Sequence, residues 1–122
     1  MTFAYWMLLV AALLPYFTVG LAKSGGFDNH APRPSLEGLG GWRRRAVWAH
    51  QNHFEAFAVF AAAVIVAELA HAPQSRIDFL AGIFVFLRVI YTALYLAGQA
   101  ALRSIVWFLG LLAVIWLFVL GV

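Results

Sequence analysis

Apolar residues fill four long stretches of the chain, and polar residues are confined to the connections and to a few positions inside the second and third stretches. An α-helix needs about 20 mostly apolar residues to cross the hydrocarbon core of a bilayer. The pattern therefore predicts four transmembrane helices, at about residues 3–22, 42–70, 79–98 and 104–122. Because short connections place successive helices antiparallel, residues 1–122 are predicted to form a single all-α, four-helix membrane domain.

Glycine and proline mark the ends and interruptions of these helices. The first connection, residues 23–41, is long and rich in both residue types. Loops of this length are often lids or partner sites, although a solvated connector fits the same composition. Pro15 lacks a backbone donor, so we expect a kink in helix one, with a neighbouring helix covering the freed carbonyl. Pro73 marks the turn before helix three.

The composition supports a membrane protein and excludes several other classes. The 122 residues are 65% hydrophobic and 11% charged, whereas an average soluble chain is about 25% charged. A chain this short cannot bury so much apolar surface alone, so lipid and copies of itself should cover the remainder. The net charge is +3, but the basic residues form no stripe, and we predict no nucleic-acid binding.

Cysteine is absent from the chain. This excludes disulfides, thiolate metal sites and a cysteine nucleophile belonging to the protein. Any thiol chemistry here must therefore use a sulfur atom that a substrate brings.

The distribution of basic residues predicts the orientation. Only Arg76 lies in the second connection, and neither terminal segment carries a basic side chain. The first and third connections, with the helix ends beside them, carry Lys23, Arg33, Arg43, Arg44, Arg45 and Arg103. The positive-inside rule then places the first and third connections in the cytoplasm and both termini outside.

Helix two collects polar residues on one face. At 100° per residue, an arc of about 80° contains Arg45, Trp48, Asn52 and Glu55. His50 and His53 fall outside this arc, at about 140° and 80° from Arg45, and are interpreted as interfacial histidines on the helix flank. Because no third ligand accompanies the two histidines, we predict no metal site.

Helix three repeats the pattern, with Arg88, Tyr91 and Tyr95 inside an arc of about 60°. Counted from the cytoplasmic ends, Glu55 lies about 16 Å down helix two and Arg88 about 15 Å down helix three. A lone charge at this depth costs on the order of 3 kcal/mol, so we predict a salt bridge or a shared hydrogen-bond network between Glu55 and Arg88.

The same count places Asn52 level with Tyr91, and Arg45 and Tyr95 nearer the cytoplasm, with Arg103 at the rim. The polar side chains would thus form a column open to one surface. Such residues can serve only to hold helices together. A column of this size also fits an anionic, zwitterionic or amide-rich ligand.

Three segments carry a family resemblance: RAVWAHQNHFEAF on helix two, RVIYTALY on helix three and LRS at the start of helix four. Their order and spacing resemble the MAPEG family, membrane-associated proteins in eicosanoid and glutathione metabolism, and in particular a small bacterial-type member. The most specific signals are the Asn-x-x-Glu motif and the Arg-x-x-Tyr-x-x-x-Tyr motif followed by Arg-Ser. These signals are Asn52, Glu55, Arg88, Tyr91, Tyr95, Arg103 and Ser104.

The resemblance implies a homotrimer, in a bacterial inner membrane, that binds glutathione as co-substrate between neighbouring subunits on the cytoplasmic side. It implies that Arg103 stabilises the glutathione thiolate, with a further hydrogen bond from Ser104. A guanidinium near a helix N-terminus favours the ionised thiol. The residues implied to hold the tripeptide are Asn52, Glu55, Arg88, Tyr91 and Tyr95, with Lys23 and Arg45 receiving its carboxylates.

Two functions remain open at this point. The first is a glutathione-dependent transferase or peroxidase that acts on lipophilic electrophiles or lipid hydroperoxides reaching it from the bilayer. The second is a non-catalytic trimer that binds lipid or serves as an accessory subunit of a larger membrane complex. Trp48 and Trp107 bear on the choice, because glutathione-using members commonly have arginine and tyrosine at these positions.

Overall fold

The computed structural model describes residues 1–122 and contains five helices and no strands. The helices are α1 (Phe3–Lys23), α2 (Pro32–Glu37), α3 (Gly41–Leu69), α4 (Gln74–Leu96) and α5 (Ala100–Leu120). The four long helices are each long and apolar enough to cross a membrane, which agrees with the four predicted spans. The short helix α2 lies inside the first connection and was not predicted.

Two helices begin earlier than the sequence pattern suggests. Helix α4 begins at Gln74 rather than residue 79, and α5 begins at Ala100 rather than residue 104. Each predicted start followed the last charged residue of the connection, Asp78 and Arg103, whereas charged residues are well tolerated near a helix end that projects beyond the hydrocarbon. Pro73 is the N-cap residue of α4, where its missing N–H group costs nothing.

The helices pack through small side chains around a few large ones. Helix α1 packs mainly on α3, and α5 packs mainly on α4. The rings of Phe60 and Phe84 stack at the centre with their centroids 4.1 Å apart. Alanines allow the helix backbones to approach closely, which is how membrane helices gain packing energy. The fully or almost fully buried alanines of this core are Ala4, Ala11, Ala63, Ala67, Ala81 and Ala113.

Helix α1 continues through Pro15 from end to end. The side chain of His50, on α3, hydrogen-bonds through Nδ1 to the carbonyl oxygen of Pro15 itself, at 2.7 Å. His50 therefore links α1 to α3, a contact that the sequence did not predict.

The first connection folds back onto the helix ends. Leu36 of α2 is buried against Ala22 and Val47. Arg43 donates from Nε to the Ala22 carbonyl at 2.8 Å and also donates to the Gly26 carbonyl. The connection is therefore a structured cap over α1 and α3, held by one arginine and one leucine.

The opposite end of the bundle carries a polar clasp made of Glu68, Gln74 and Asp78. Gln74 donates from Nε2 to Glu68 and to Asp78, at 2.8 Å in both cases. Asp78 also accepts a hydrogen bond from the backbone N–H of Ala4 at 2.9 Å. The clasp joins the N-terminus of α1, the C-terminus of α3 and the N-terminus of α4. A carboxylate at the start of α1 also opposes the positive end of that helix dipole.

Candidate functional site

A cavity of about 240 Å³ opens between α3, α4 and α5. Most of its wall is apolar, but one end is formed by Asn52, Glu55, Arg88 and Tyr91. Ligand sites in proteins typically combine an apolar wall with a few convergent polar groups. The sequence placed these four side chains on facing surfaces of two helices, and the structure brings them to one cavity.

A second cavity of about 230 Å³ adjoins the first. The two cavities share Asn52, Tyr91 and Trp107, and the second adds Tyr95, Arg103 and Ser104. Seven of the predicted site residues therefore line two adjoining cavities on the α5 flank of α3 and α4.

Cations and aromatic rings alternate along this region. The Cζ atom of Arg88 lies 4.2 Å from the ring centroid of Tyr91, and the Tyr91 and Tyr95 centroids are 5.5 Å apart. Arg103 follows, with Cζ 4.4 Å from the Tyr95 centroid. Each guanidinium gains from the electron-rich face of a tyrosine without losing its positive charge. The stack therefore has one cation at each end.

Arg103 and Ser104 lie at the beginning of α5 instead of in front of it. The N-cap residue Gln99 makes no side-chain hydrogen bond to the helix, so the first N–H groups of α5 lack a side-chain partner. The positive end of the helix and the Arg103 guanidinium consequently act on the same space. This arrangement favours a negatively charged group beside Ser104.

The predicted pairing of Glu55 with Arg88 is corrected by the structure. Arg88 is only 4% exposed, and it donates from Nε at 3.2 Å and from Nη2 at 2.8 Å to Nδ1 of His53. Glu55 is exposed on the surface of the single chain, although it lines the same cavity. A cross-helix partner does satisfy Arg88, but this partner is an imidazole.

His53 was missed by the sequence reasoning, which interpreted it as an interfacial residue. It is 3% exposed, and its Nε2 atom lies 2.8 Å from the hydroxyl oxygen of Thr92. A signal was present on α4, where Arg88 and Thr92 stand four residues apart and present two polar groups to the same side. That pair required a polar partner on α3 at equal depth, and His53 occupies this place.

Two predicted ligand residues have other contacts within the chain. Arg45 donates from Nε and Nη2 to the carbonyl oxygen of Leu96, at 3.2 and 2.9 Å, and so caps the C-terminus of α4. The ammonium group of Lys23 lies 4.8 Å from the ring centroid of Phe27. Neither side chain lines the two cavities of its own chain.

One buried polar atom at the site has no partner. The side-chain oxygen of Asn52 is the only buried side-chain nitrogen or oxygen atom in the chain that makes no hydrogen bond. Leaving such an acceptor unpaired costs about 1–3 kcal/mol. Because Asn52 lines both cavities, a ligand with an N–H or O–H donor would recover this loss.

The comparison with protein families settles the relationship that the motifs suggest. A model described as the MAPEG family matches residues 3–122, which is essentially the whole chain. The chain belongs to the MAPEG family. Neither the curated proteins nor the solved structures yield a match. Membership confirms the resemblance and the fold class, a bundle of membrane-spanning helices, and MAPEG members include glutathione-dependent transferases and peroxidases.

Proposed function

We propose that this MAPEG protein is a glutathione-dependent transferase or peroxidase that acts on lipophilic electrophiles or lipid hydroperoxides. The observation that carries the proposal is the shared cavity of Asn52, Tyr95, Arg103 and Ser104 at the first turn of α5. It combines an unpaired amide oxygen, suited to a peptide N–H, with a cation suited to a thiolate.

Arg103 would hold the sulfur of glutathione in its ionised form, and Ser104 would donate a hydrogen bond to it. The thiolate is the nucleophilic form of a thiol. Its sulfur would bond to an electrophilic carbon of the second substrate while a leaving group departs with its electron pair, or while the electrons of a double bond move to a neighbouring atom that is then protonated. With a lipid hydroperoxide the sulfur would bond to the terminal oxygen as the O–O bond breaks, giving an alcohol and a glutathione sulfenic acid, which a second glutathione converts to the disulfide and water. The apolar wall of the adjoining cavity, formed in part by Val59 and Val114, would receive that substrate.

The proposed binding set for the tripeptide keeps Asn52, Glu55, Arg88, Tyr91 and Tyr95, which line the two cavities. Lys23 and Arg45 have a different place in this proposal. Since neither lines the cavities of its own chain, each would reach the tripeptide carboxylates at the rim or from a neighbouring subunit.

A homotrimer is part of the proposal because α3 carries an exposed strip of two polar and two small side chains. Gln51, Glu55, Ala58 and Ala62 are all exposed in the single chain and follow one another along the helix. A carboxylate facing lipid is costly, whereas a subunit boundary lined by alanines removes it from lipid and allows close approach. Native mass spectrometry of the protein released from detergent should give the mass of three chains.

The proposed orientation places the first and third connections in the cytoplasm of a bacterial cell, with the protein in the inner membrane. The cysteine-free chain makes this simple to test, because each introduced cysteine is unique. Ser24→Cys and Ser75→Cys lie in exposed positions at opposite ends of the bundle. A membrane-impermeant maleimide added to intact spheroplasts should label Ser75→Cys and spare Ser24→Cys.

The central experiment measures thiolate formation. Purified protein mixed with glutathione should develop the ultraviolet absorbance of a thiolate, and Arg103→Ala should abolish it. Arg76→Ala is the matched control, because this arginine is exposed at the other end of the bundle. Absence of thiolate with the unaltered protein would contradict the proposal.

A non-catalytic lipid-binding trimer, or an accessory subunit of a larger membrane complex, is the second candidate. The observation in its favour is the apolar wall of the larger cavity, where Trp107 contributes a ring without a hydroxyl group. This candidate predicts that a bound lipid copurifies with the protein and that added glutathione neither binds nor ionises.

A further inference from the structure

The hydrogen-bond roles around Arg88 fix the charge of its partner. A guanidinium can only donate, so Nδ1 of His53 must accept and carries no proton. The Thr92 hydroxyl donates to the Arg88 carbonyl at 2.8 Å and is free to accept from Nε2 of His53. The proton of the imidazole therefore resides on Nε2, and His53 is neutral.

Arg88 is thus immobilised without being neutralised. Its contacts inside the chain are the neutral imidazole of His53 and the neutral ring of Tyr91. The two bonds to His53 use two of the five guanidinium N–H groups, and the remaining three make no hydrogen bond within the chain. Arg88 also lines the larger cavity, so its positive charge faces that space.

A buried cation without an anionic partner is costly, and a ligand that supplies the anion recovers that cost. Carboxylates match a guanidinium best, because two parallel N–H···O bonds form at once. Glu55 lines the same cavity and its charge acts on Arg88, but no hydrogen bond joins the two side chains, so the remaining guanidinium N–H groups are available to a carboxylate of the ligand.

We propose that His53 is a positioning residue that holds Arg88 by a neutral acceptor and thereby preserves its charge for a carboxylate group of the bound ligand. The inference rests on the proposed function in so far as glutathione, which has two carboxylates, is the ligand. It adds a selectivity to that function: the cavity should bind a carboxylate far better than an uncharged group of similar shape.

Three substitutions separate this role from a purely structural one. His53→Asn keeps a neutral oxygen near the position of Nδ1, His53→Asp places an anionic oxygen there, and His53→Leu removes the acceptor. If His53 only fixes the arginine, the His53→Asp variant should bind ligand at least as well as His53→Asn, because a charged acceptor bonds a guanidinium more strongly. If His53 preserves the charge, the His53→Asp variant should hold Arg88 firmly and still weaken the binding of carboxylate ligands.

The assay measures ligand affinity and thermal stability in nanodiscs, with two kinds of probe. Glutathione tests the inference together with the proposed function, and octanoate compared with octanol tests the carboxylate preference alone. We expect His53→Asp to weaken glutathione and octanoate by about tenfold or more relative to His53→Asn, with an equal or higher melting temperature. Octanol should bind the two variants equally, and His50→Asn should leave affinities for both carboxylates unchanged.

The outcomes distinguish the two proposals. If octanoate shows the difference between Asp and Asn but glutathione does not bind, the proposed function fails and the inference stands. Equal octanoate affinities for these variants, wild-type affinity in His53→Leu, or an unaltered protein that prefers neither octanoate nor glutathione to octanol would overturn the inference.

Discussion

The guanidinium of Arg88 on α4 is bonded to the imidazole of His53 on α3, with Nη2 and Nδ1 2.8 Å apart. Both side chains are almost entirely buried, although each is polar and one is charged. Thr92 completes a closed ring of hydrogen bonds that returns to the backbone carbonyl of Arg88. This ring is the polar centre of the bundle, and through Arg88 it borders the cavity between α3, α4 and α5.

The first prediction concerns the hydroxyl group of Thr92. Thr92→Val preserves the shape of the side chain but leaves the Nε2 proton of His53 without an acceptor, which should lower the free energy of unfolding by about 1–3 kcal/mol. Thermal unfolding in detergent checks this. Thr18→Val is the matched control, because the buried Thr18 hydroxyl bonds only to the Leu14 carbonyl of its own helix. Equal losses in the two variants would contradict the role of the ring.

The second prediction concerns coupling between side chains. Since Arg88 contacts His53, the variants His53→Leu and Arg88→Met should be non-additive by about 1 kcal/mol or more in a double-mutant cycle of stability. Glu55→Gln combined with Arg88→Met should be additive, because no hydrogen bond joins that pair in the chain. Strong coupling in the second cycle would place Glu55 against Arg88 in the assembled protein.

A third prediction addresses glutathione affinity. Trp107 lines both cavities, at a position where the family resemblance leads us to expect a tyrosine. Trp107→Tyr should raise the affinity for glutathione about fivefold relative to Trp107→Phe, because a single new hydrogen bond is worth about 1 kcal/mol. Isothermal titration of both variants isolates the hydroxyl group. If the two variants bind glutathione equally, no part of the ligand lies within reach of position 107.

The fourth prediction concerns two helix ends with the same backbone conformation. His71 lies two residues after the end of α3 with a φ of 55°, and Gly98 lies two residues after the end of α4 with a φ of 75°. Side chains disfavour this left-handed region, whereas glycine adopts it freely. His71→Gly should therefore raise the melting temperature. Gly98→Ala should lower the free energy of unfolding by about 1 kcal/mol. A higher melting temperature for Gly98→Ala would show that the residue after α4 has a different backbone conformation in the membrane.

The helices and the main polar side chains were predictable because each depends on local pattern. Hydrophobic length determined the four spans, and angular spacing placed Arg88, Tyr91 and Tyr95 on one face of α4. A helical wheel does not say which neighbour lies opposite each face, and for this reason Glu55 was paired with Arg88 in place of His53. The hydrogen bond from Arg45 to the Leu96 carbonyl could not be predicted from the sequence either, since it depends on where the end of α4 lies relative to α3.

Among the four membrane-spanning helices, α5 alone makes no side-chain hydrogen bond to the others. Helices α1, α3 and α4 are joined by the clasp around Gln74, by the arginine caps and by the ring at His53. Helix α5 contacts the other spans through apolar packing and through the guanidinium of Arg103, which lies over the ring of Tyr95. Separating α5 from the bundle would therefore break no side-chain hydrogen bond, so the attachment of α5 depends on the fit of apolar side chains and on one cation–ring contact.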